Sequence, residues 1–102
     1  DLSFASLKKA NLKNVDLRWA ILKNSDFTDS DMRSIGLLEA NISGALLAGA
    51  NLSNGDLRRV NLSGASLVGV NLSGSNLAMA NLTGANTQGV SFDTCNTYGT
   101  KF

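Results

Sequence analysis

The sequence predicts an all-β fold in which the chain winds around a square, and three regularities support this. Large apolar residues recur every five positions along the whole chain, and only Thr87 and Thr97 interrupt this series of 21 centres. The position two residues before each centre holds a small residue, with Ile35 as the only bulky exception. The position immediately before each centre, called the slot below, holds Asp or Asn in 14 of 21 cases. Internal repetition of this kind determines the architecture before any other pattern is considered.

A period of five fits neither a helix nor a continuous strand. Five residues of α-helix advance by about 500°, so the centres would spiral around the axis and form no stripe. In a continuous strand, an odd period would send successive centres to opposite faces of the sheet. Each unit of five must therefore combine a short extended piece with a turn.

The spacing assigns each position of the unit. The small residue and the centre lie two apart and share the inner face of a short strand, while the slot residue between them points outward. The two residues after the centre form the turn, and a type II turn requires positive φ at the second of them. Four turns close a square, which predicts about five coils of 20 residues in this 102-residue chain. Eight of the ten glycines fall on the second turn position, namely Gly44, Gly49, Gly64, Gly69, Gly74, Gly84, Gly89 and Gly99.

One motif recurs in most units, as ANLKN at 10–14, ANLSN at 50–54, VNLSG at 60–64 and ANLTG at 80–84. It resembles the A-[DN]-L-x-x repeat of the pentapeptide-repeat family, and the resemblance covers essentially all 102 residues. The resemblance implies a right-handed quadrilateral β-helix. Members are frequent in cyanobacteria, and some lie in the thylakoid lumen. The compartment expected here is the cytoplasm or, in a cyanobacterium, the thylakoid lumen or periplasm after signal removal.

Length and charge limit the function classes. The chain has the length of one domain and starts in phase with the repeat, so we expect a single solenoid domain, 1–102, excised or processed from a longer chain. The net charge is +1, which provides no global field for nucleic acid or an anionic membrane. No apolar run approaches the ~18 residues of a membrane span. We therefore predict no nucleic-acid partner and no membrane partner.

Residue types that would support catalysis are scarce. The chain has no histidine, and hence no ordinary general base near neutral pH. Its single cysteine, Cys95, occupies a small position, which favours a core residue. Asp26, Asp29 and Asp31 resemble a metal-binding run, but the stretch lacks the glycine and terminal glutamate of a calcium loop. We predict no enzyme activity, no cofactor and no metal site.

Residues 20 apart are expected to stack, which sorts the outward side chains into columns. One column, the arginine face, follows directly after its centres and contains Arg18, Leu38, Arg58, Ala78 and Tyr98. The next column, the tryptophan corner, contains Trp19, Glu39, Arg59, Met79 and Gly99. Around that corner, Ile21 occupies a slot. Interface cores and binding hot spots are enriched in Trp, Tyr, Met and Arg. We predict an interaction face made of Arg18, Trp19, Ile21, Leu38, Arg58, Arg59, Met79 and Tyr98.

Two other interpretations of this face remain open. It could be a solvated surface on which arginine stems stack on aromatic rings, or it could pack against a neighbouring domain. A smaller apolar patch surrounds Leu46, beside the column of Lys8, Thr28, Ala48, Val68 and Gln88. The remaining two faces are expected to be solvated. The basic N-terminal part forms either a solvated end or a contact with an anionic partner, through Lys8, Lys9, Lys13, Arg18 and Lys23.

These observations favour a non-catalytic, rigid β-solenoid scaffold or protein-interaction module whose partner is an unidentified protein or a neighbouring domain. The resemblance implies one alternative, because some family members protect DNA gyrase from quinolones by imitating duplex DNA. That role requires a strongly negative rod, whereas this chain carries a net charge of +1. End-to-end self-association is a further expectation, because terminal coils would leave unpaired backbone groups around Leu2 and Leu7 and around Phe92 and Phe102.

Overall fold

The computed structural model describes residues 1–102, and its regular element is a short turn rather than a helix or a long strand. Two-residue turns recur every five residues, from 3–4 to 98–99, and single bridged residues lie between them. Every bridge is parallel and joins residues 20 apart, from Ser6 with Asp26 to Asn81 with Lys101. Each layer of chain therefore lies on the layer 20 residues before it, in a molecule of 29 × 24 × 19 Å.

No helix of sufficient length and apolarity to cross a membrane is present.

The backbone hydrogen bonds explain why the unit has five residues. In the unit 61–65, two amides donate to carbonyls of the following layer and one donates to the preceding layer. A fourth amide closes the turn within the unit, and the fifth donates to the side chain of Asn61. All five bonds measure between 2.8 and 3.0 Å, so no backbone donor of the unit lacks an acceptor.

The slot residues complete this hydrogen bonding. In all 14 units with Asp or Asn in the slot, the side-chain oxygen accepts a hydrogen bond from the amide two residues further on, at 2.9 to 3.3 Å. Asp and Asn favour this local bond because their side chains reach the backbone two residues on. The outward direction was predicted from the sequence, whereas this hydrogen-bonding role was not.

The core contains the two predicted inward positions and nothing else. All 25 buried residues lie at a centre or at a small position. Ile35, the bulky exception, is fully buried beside Gly55, where an added Cβ would lie 3.6 Å from Cγ2 of Ile35. An added Cβ at Gly55 would also lie 3.0 Å from the carbonyl oxygen of Leu52, so this backbone contact, and not the side chain of Ile35, disfavours a side chain there.

Positive φ occurs at the second turn position in 19 of the 20 turns, which confirms the prediction made for the glycines. Eleven of these residues are not glycine, and their φ values lie between 55 and 63°. The exception is Thr94, whose β-branched side chain disfavours this region. Here the hydroxyl of Thr94 accepts from the amide of Gly74 at 3.0 Å, and the bridge between Asn71 and Ser91 is missing.

The terminal layers keep apolar side chains in contact with solvent. Leu2 is 51% exposed and Phe102 is 67% exposed. The ring of Phe102 meets Phe92 edge to face, with centroids 5.2 Å apart. Cys95 is half-buried against the core, and its thiol donates to the carbonyl of Leu72 at 3.0 Å.

Candidate interaction face

The arginine face is built on two ion pairs that the repeat itself positions. Each arginine follows its slot aspartate by two residues, so both side chains leave the same short strand on the same side. Nε and Nη2 of Arg18 donate to the two carboxylate oxygens of Asp16 at 2.8 and 2.7 Å. The corresponding bonds from Arg58 to Asp56 both measure 2.7 Å. Each guanidinium is thus held by two hydrogen bonds to the aspartate of its own unit.

These hydrogen bonds also set the charge states. The side-chain bond from Arg18 lowers the pKa of Asp16, and the bond from Arg58 lowers the pKa of Asp56. The positive charge of Arg18 further lowers the pKa of Asp56, although the two residues are separated by the layer that contains Gly36. Both carboxylates are therefore ionised at neutral pH, and each is matched by a neighbouring guanidinium.

Arg18 connects the arginine face to the tryptophan corner. Its guanidinium carbon lies 5.1 Å from the ring centroid of Trp19, within the range of a cation–π contact. Trp19 is 61% exposed, so this contact holds an aromatic ring at the surface.

The tryptophan corner shares its backbone conformation with the other three corners but differs from them in the side chains that carry it. Trp19, Glu39, Arg59 and Met79 have φ values of 62, 57, 56 and 63°, a region that favours glycine and asparagine. Gly99 completes the column, and an added Cβ there would overlap Sδ of Met79. At the other corners, the first layer has Phe4, Lys9 and Asn14 in this conformation, and the later layers have Asn24, Asp29, Ser34, Asn54 or glycine.

The structure brings all eight predicted face residues onto two adjacent columns and the neighbouring slot. Trp19, Ile21, Met79 and Tyr98 are among the exposed large apolar residues, while Leu38 is half-buried between Arg18 and Arg58. Whether a partner binds there stays a prediction.

Three residues of this face escaped the sequence analysis, namely Asp16, Asp56 and Gly36. The triplets DLR at 16–18 and 56–58 are the signal that could have identified the two aspartates. Gly36 occupies a slot between them, and no pattern in its own unit marks it as part of the face.

Two other sides of the molecule, the adjacent side with Asp31 and the opposite side with Asp26, provide a comparison for these ion pairs. Arg33 donates to both oxygens of Asp31 at 2.9 and 2.7 Å, and this bond lowers the pKa of Asp31 to about 2. The hydroxyl of Thr28 donates to Asp26 and lowers the pKa of Asp26. No group of three acidic, cysteine or histidine side chains is arranged to hold a metal ion, and no pocket indents the surface.

Comparisons with known proteins agree with this repeat geometry. The family described as pentapeptide repeats matches residues 1–35 and 40–78, in eight copies. The pentapeptide repeat protein Rfr23 of the cyanobacterium Cyanothece 51142 is similar over 87% of this chain, with 39% identity and a TM-score of 0.85. A pentapeptide repeat protein of the Arabidopsis thaliana thylakoid lumen is similar over 93%, with 31% identity and a TM-score of 0.58.

A third solved structure is HetL, a pentapeptide repeat protein involved in heterocyst differentiation regulation in Nostoc sp. strain PCC 7120. It is similar over 96% of this chain, with 30% identity and a TM-score of 0.51. The chain spans 60%, 63% and 53% of the lengths of these three proteins, in the order given. No curated protein sequence matches. The repeat pattern, the 20-residue register and these similarities lead to one conclusion: the chain belongs to the pentapeptide-repeat family, whose members are right-handed β-helices.

Proposed function

We propose that this chain is a rigid, non-catalytic scaffold of about five 20-residue coils, and that it binds a protein partner through the predicted interaction face. The observation that carries the proposal is the run of large side chains in the left-handed conformation at the tryptophan corner. A left-handed conformation costs about 1–2 kcal/mol for a residue with a Cβ atom. Strained residues of this kind cluster at ligand clamps and other functional sites. Four large side chains are held in this conformation in successive layers at one corner.

Folding alone does not account for these side chains. The same turn position accepts glycine at eight places, where the conformation carries no steric cost. Large residues at the tryptophan corner therefore lower the stability of the solenoid relative to glycine. Binding free energy from contact with a partner would offset this loss of stability and would explain why large side chains occupy these positions.

Three side chains of the face have contacts within the chain that favour one conformation before any partner binds. Arg18 and Arg58 are held by two-pronged bonds to their aspartates, and Arg18 also contacts Trp19. Ordered side chains lose less conformational entropy on binding, which favours affinity. Trp, Tyr and Arg are the residue types that dominate interface energetics.

A crosslinking experiment with a matched control tests the proposal. A photoreactive residue at Met79 in the full-length protein should capture one partner from extract of the source organism, and unmodified protein should compete. With the purified partner, Trp19→Ala and Arg58→Ala should each weaken binding by about tenfold or more, as hot-spot truncation does. Arg33→Ala removes an equivalent ion pair from another face and should leave the dissociation constant unchanged. Equal weakening by Arg33→Ala, or equal capture from a photoreactive residue at Ser73, would contradict the proposal.

Two alternatives are separated by simple measurements. The gyrase-interacting alternative predicts protection of gyrase in a supercoiling assay that contains a quinolone, whereas a scaffold with net charge +1 should give none. End-to-end association predicts that the apparent molar mass of the 102-residue chain, measured by light scattering, rises with concentration and that a charge at the half-exposed Leu2 suppresses this rise.

A further inference from the structure

One backbone donor on the arginine face differs from its equivalents. In 14 units, the amide after the centre donates to the Asp or Asn in the slot of the same unit. In the unit of Leu38 the slot residue is Gly36, and the amide of Leu38 donates to no protein atom. This amide lies between the Asp16–Arg18 pair in the layer before and the Asp56–Arg58 pair in the layer after.

Neither the backbone nor crowding requires glycine at this slot. Gly36 is outside the left-handed region, and its amide donates to the carbonyl of Val15 at 2.9 Å like other slot residues. An added Cβ would lie 3.7 Å from Oδ1 of Asp16 and 3.8 Å from Cγ of Arg18, which are ordinary contacts. The space over the Leu38 amide could therefore hold a side-chain group. Four other units also leave this amide without an acceptor, but each has a side chain in its slot: Ser6, Ile21, Leu46 and Ser66.

The surroundings restrict the chemistry of a group that would fill this space. It must accept a hydrogen bond from Leu38 and lie between the carboxylates of Asp16 and Asp56. A third carboxylate would lie opposite the carboxylates of Asp16 and Asp56, whose arginines already donate to them, and like charges directly opposite each other destabilise stacked strands. A carboxamide avoids this repulsion, since its oxygen accepts while its NH2 group can donate to a flanking carboxylate.

The same chain contains a working example of this arrangement. On another face, Asp31 with its partner Arg33 lies between Asn11 and Asn51 in the adjacent layers. No two slots that are bridged to each other both hold a carboxylate. The stacked slots on that face thus combine an arginine-paired carboxylate with neighbouring carboxamides. On the arginine face, the slot between the two arginine-paired carboxylates is Gly36, which has no carboxamide.

We propose that the amide of Leu38, between Asp16 and Asp56, binds the side-chain carboxamide of an Asn or Gln residue of the protein partner. The carboxamide oxygen of the partner takes the place that Oδ1 of an Asn occupies in the other units, where this Asn belongs to the same chain. The proposal rests on the proposed function for the source of the carboxamide, but the binding chemistry can be tested without the partner.

NMR titration with propionamide as the probe tests the binding chemistry directly. The Leu38 amide resonance of the 15N-labelled protein should shift with saturation, and the shift should vanish in Gly36→Asn because the protein then supplies its own carboxamide. The Ala48 amide, which also has no acceptor but lies beside the Leu46 side chain, is the internal control. Sodium propionate at matched ionic strength should bind several-fold more weakly. If the Leu38 and Ala48 resonances shifted equally, or if the Leu38 shift rose linearly without saturation, Leu38 would not be a binding site. If propionate bound more tightly than propionamide, the site would not prefer a carboxamide.

The melting temperatures of Gly36 variants, in which the chain itself supplies the side-chain group, provide an independent test. Gly36→Asn should melt at a higher temperature than Gly36→Ala, because only Asn restores the hydrogen bond to Leu38. Gly36→Asp should melt below Gly36→Asn at pH 7, and the difference should shrink in acid as carboxylates are protonated. Equal melting of the Asp and Asn variants at pH 7 would refute the charge argument. If propionamide binds at Leu38 but Met79 and Ser73 crosslink equally, the proposed interaction face is wrong and the carboxamide site is still supported. If Met79 crosslinks selectively but propionamide does not bind, the carboxamide site is wrong and the interaction face is still supported.

Discussion

Two buried serines at small positions differ in whether the hydroxyl has a hydrogen-bond partner. Ser25 donates to the carbonyl of Leu2 at 3.0 Å, whereas the buried hydroxyl of Ser30 has none. A buried, unsatisfied polar group costs about 1–3 kcal/mol, so Ser30→Ala should raise the free energy of unfolding by about 1 kcal/mol. Ser25→Ala should lower it by a similar amount, because it removes a bond. Chemical denaturation of both variants measures this, and a destabilised Ser30→Ala would mean that the hydroxyl has a partner.

The slot side chains make the second prediction at this scale. Asn61 accepts from the amide of Ser63 at 3.0 Å, while Ser66 makes no such bond in its own slot. Asn61→Ala should therefore cost about 0.5–1.5 kcal/mol, the usual net value of a hydrogen bond. Ser66→Ala is the matched control and should change the unfolding free energy little. Equal effects of the two substitutions would contradict the role assigned to the slot.

At the scale of the five-residue unit, stability depends on the filling of the square. Leu62 and Ala65 are 1% exposed, at a centre and at a small position. Leu62→Ala should cost ~2–5 kcal/mol by leaving a cavity. Ala65→Leu should cost at least ~1–3 kcal/mol by overpacking, since the interior is closed on four sides. Thermal melts test both, and an Ala65→Leu variant that melts like the parent would show that the small position is not inward.

At the scale of the whole molecule, the aspartates make stability depend on pH. Hydrogen bonds lower the pKa values of Asp16, Asp26, Asp31 and Asp56 in the folded protein, to about 2 for Asp31. A carboxylate whose pKa is lower in the folded than in the unfolded chain stabilises the folded protein at pH values above its unfolded pKa, which is near 4. This contribution is lost as the pH falls through the folded-state pKa. The melting temperature should therefore fall between pH 5 and pH 2. Asp31→Asn should reduce this fall, and a flat profile in the parent would contradict it.

The last layers of the molecule should be less protected than its middle. The amide of Leu62 donates to the following layer at 2.8 Å, whereas the equivalent amide of Leu72 has no backbone acceptor because the ladder is broken near Thr94. Each layer of a solenoid is supported only by its neighbours. Amide exchange should be faster at Leu72 than at Leu62, and faster over 86–102 than over 45–80. Thr94→Gly should slow exchange at Leu72 by restoring the turn. Equal protection of Leu62 and Leu72 would refute this account.

The sequence by itself determined the architecture and the sorting of side chains. The small position and the centre are inward because they lie two apart on a short strand, a relation internal to each unit. The register of 20 follows from four turns of equal length, so Arg18, Leu38 and Arg58 could be assigned to one column before any contact was known. Each layer contacts only the layers directly before and after it, so no irregular contact between distant parts of the chain had to be predicted. For this reason the prediction applied to the whole molecule.

Only the tertiary structure decided how individual polar groups are satisfied. The missing bridge near Thr94 and the position of the Leu38 amide between Asp16 and Asp56 depend on how the layers stack. The bonds from Arg18 to Asp16 depend on side-chain orientations within one unit. A slot residue has the same position in every unit, but its effect depends on whether its side chain reaches the amide two residues on. At Gly36 no side chain is present, and the physical consequence is a backbone donor left open on the face predicted to bind a partner.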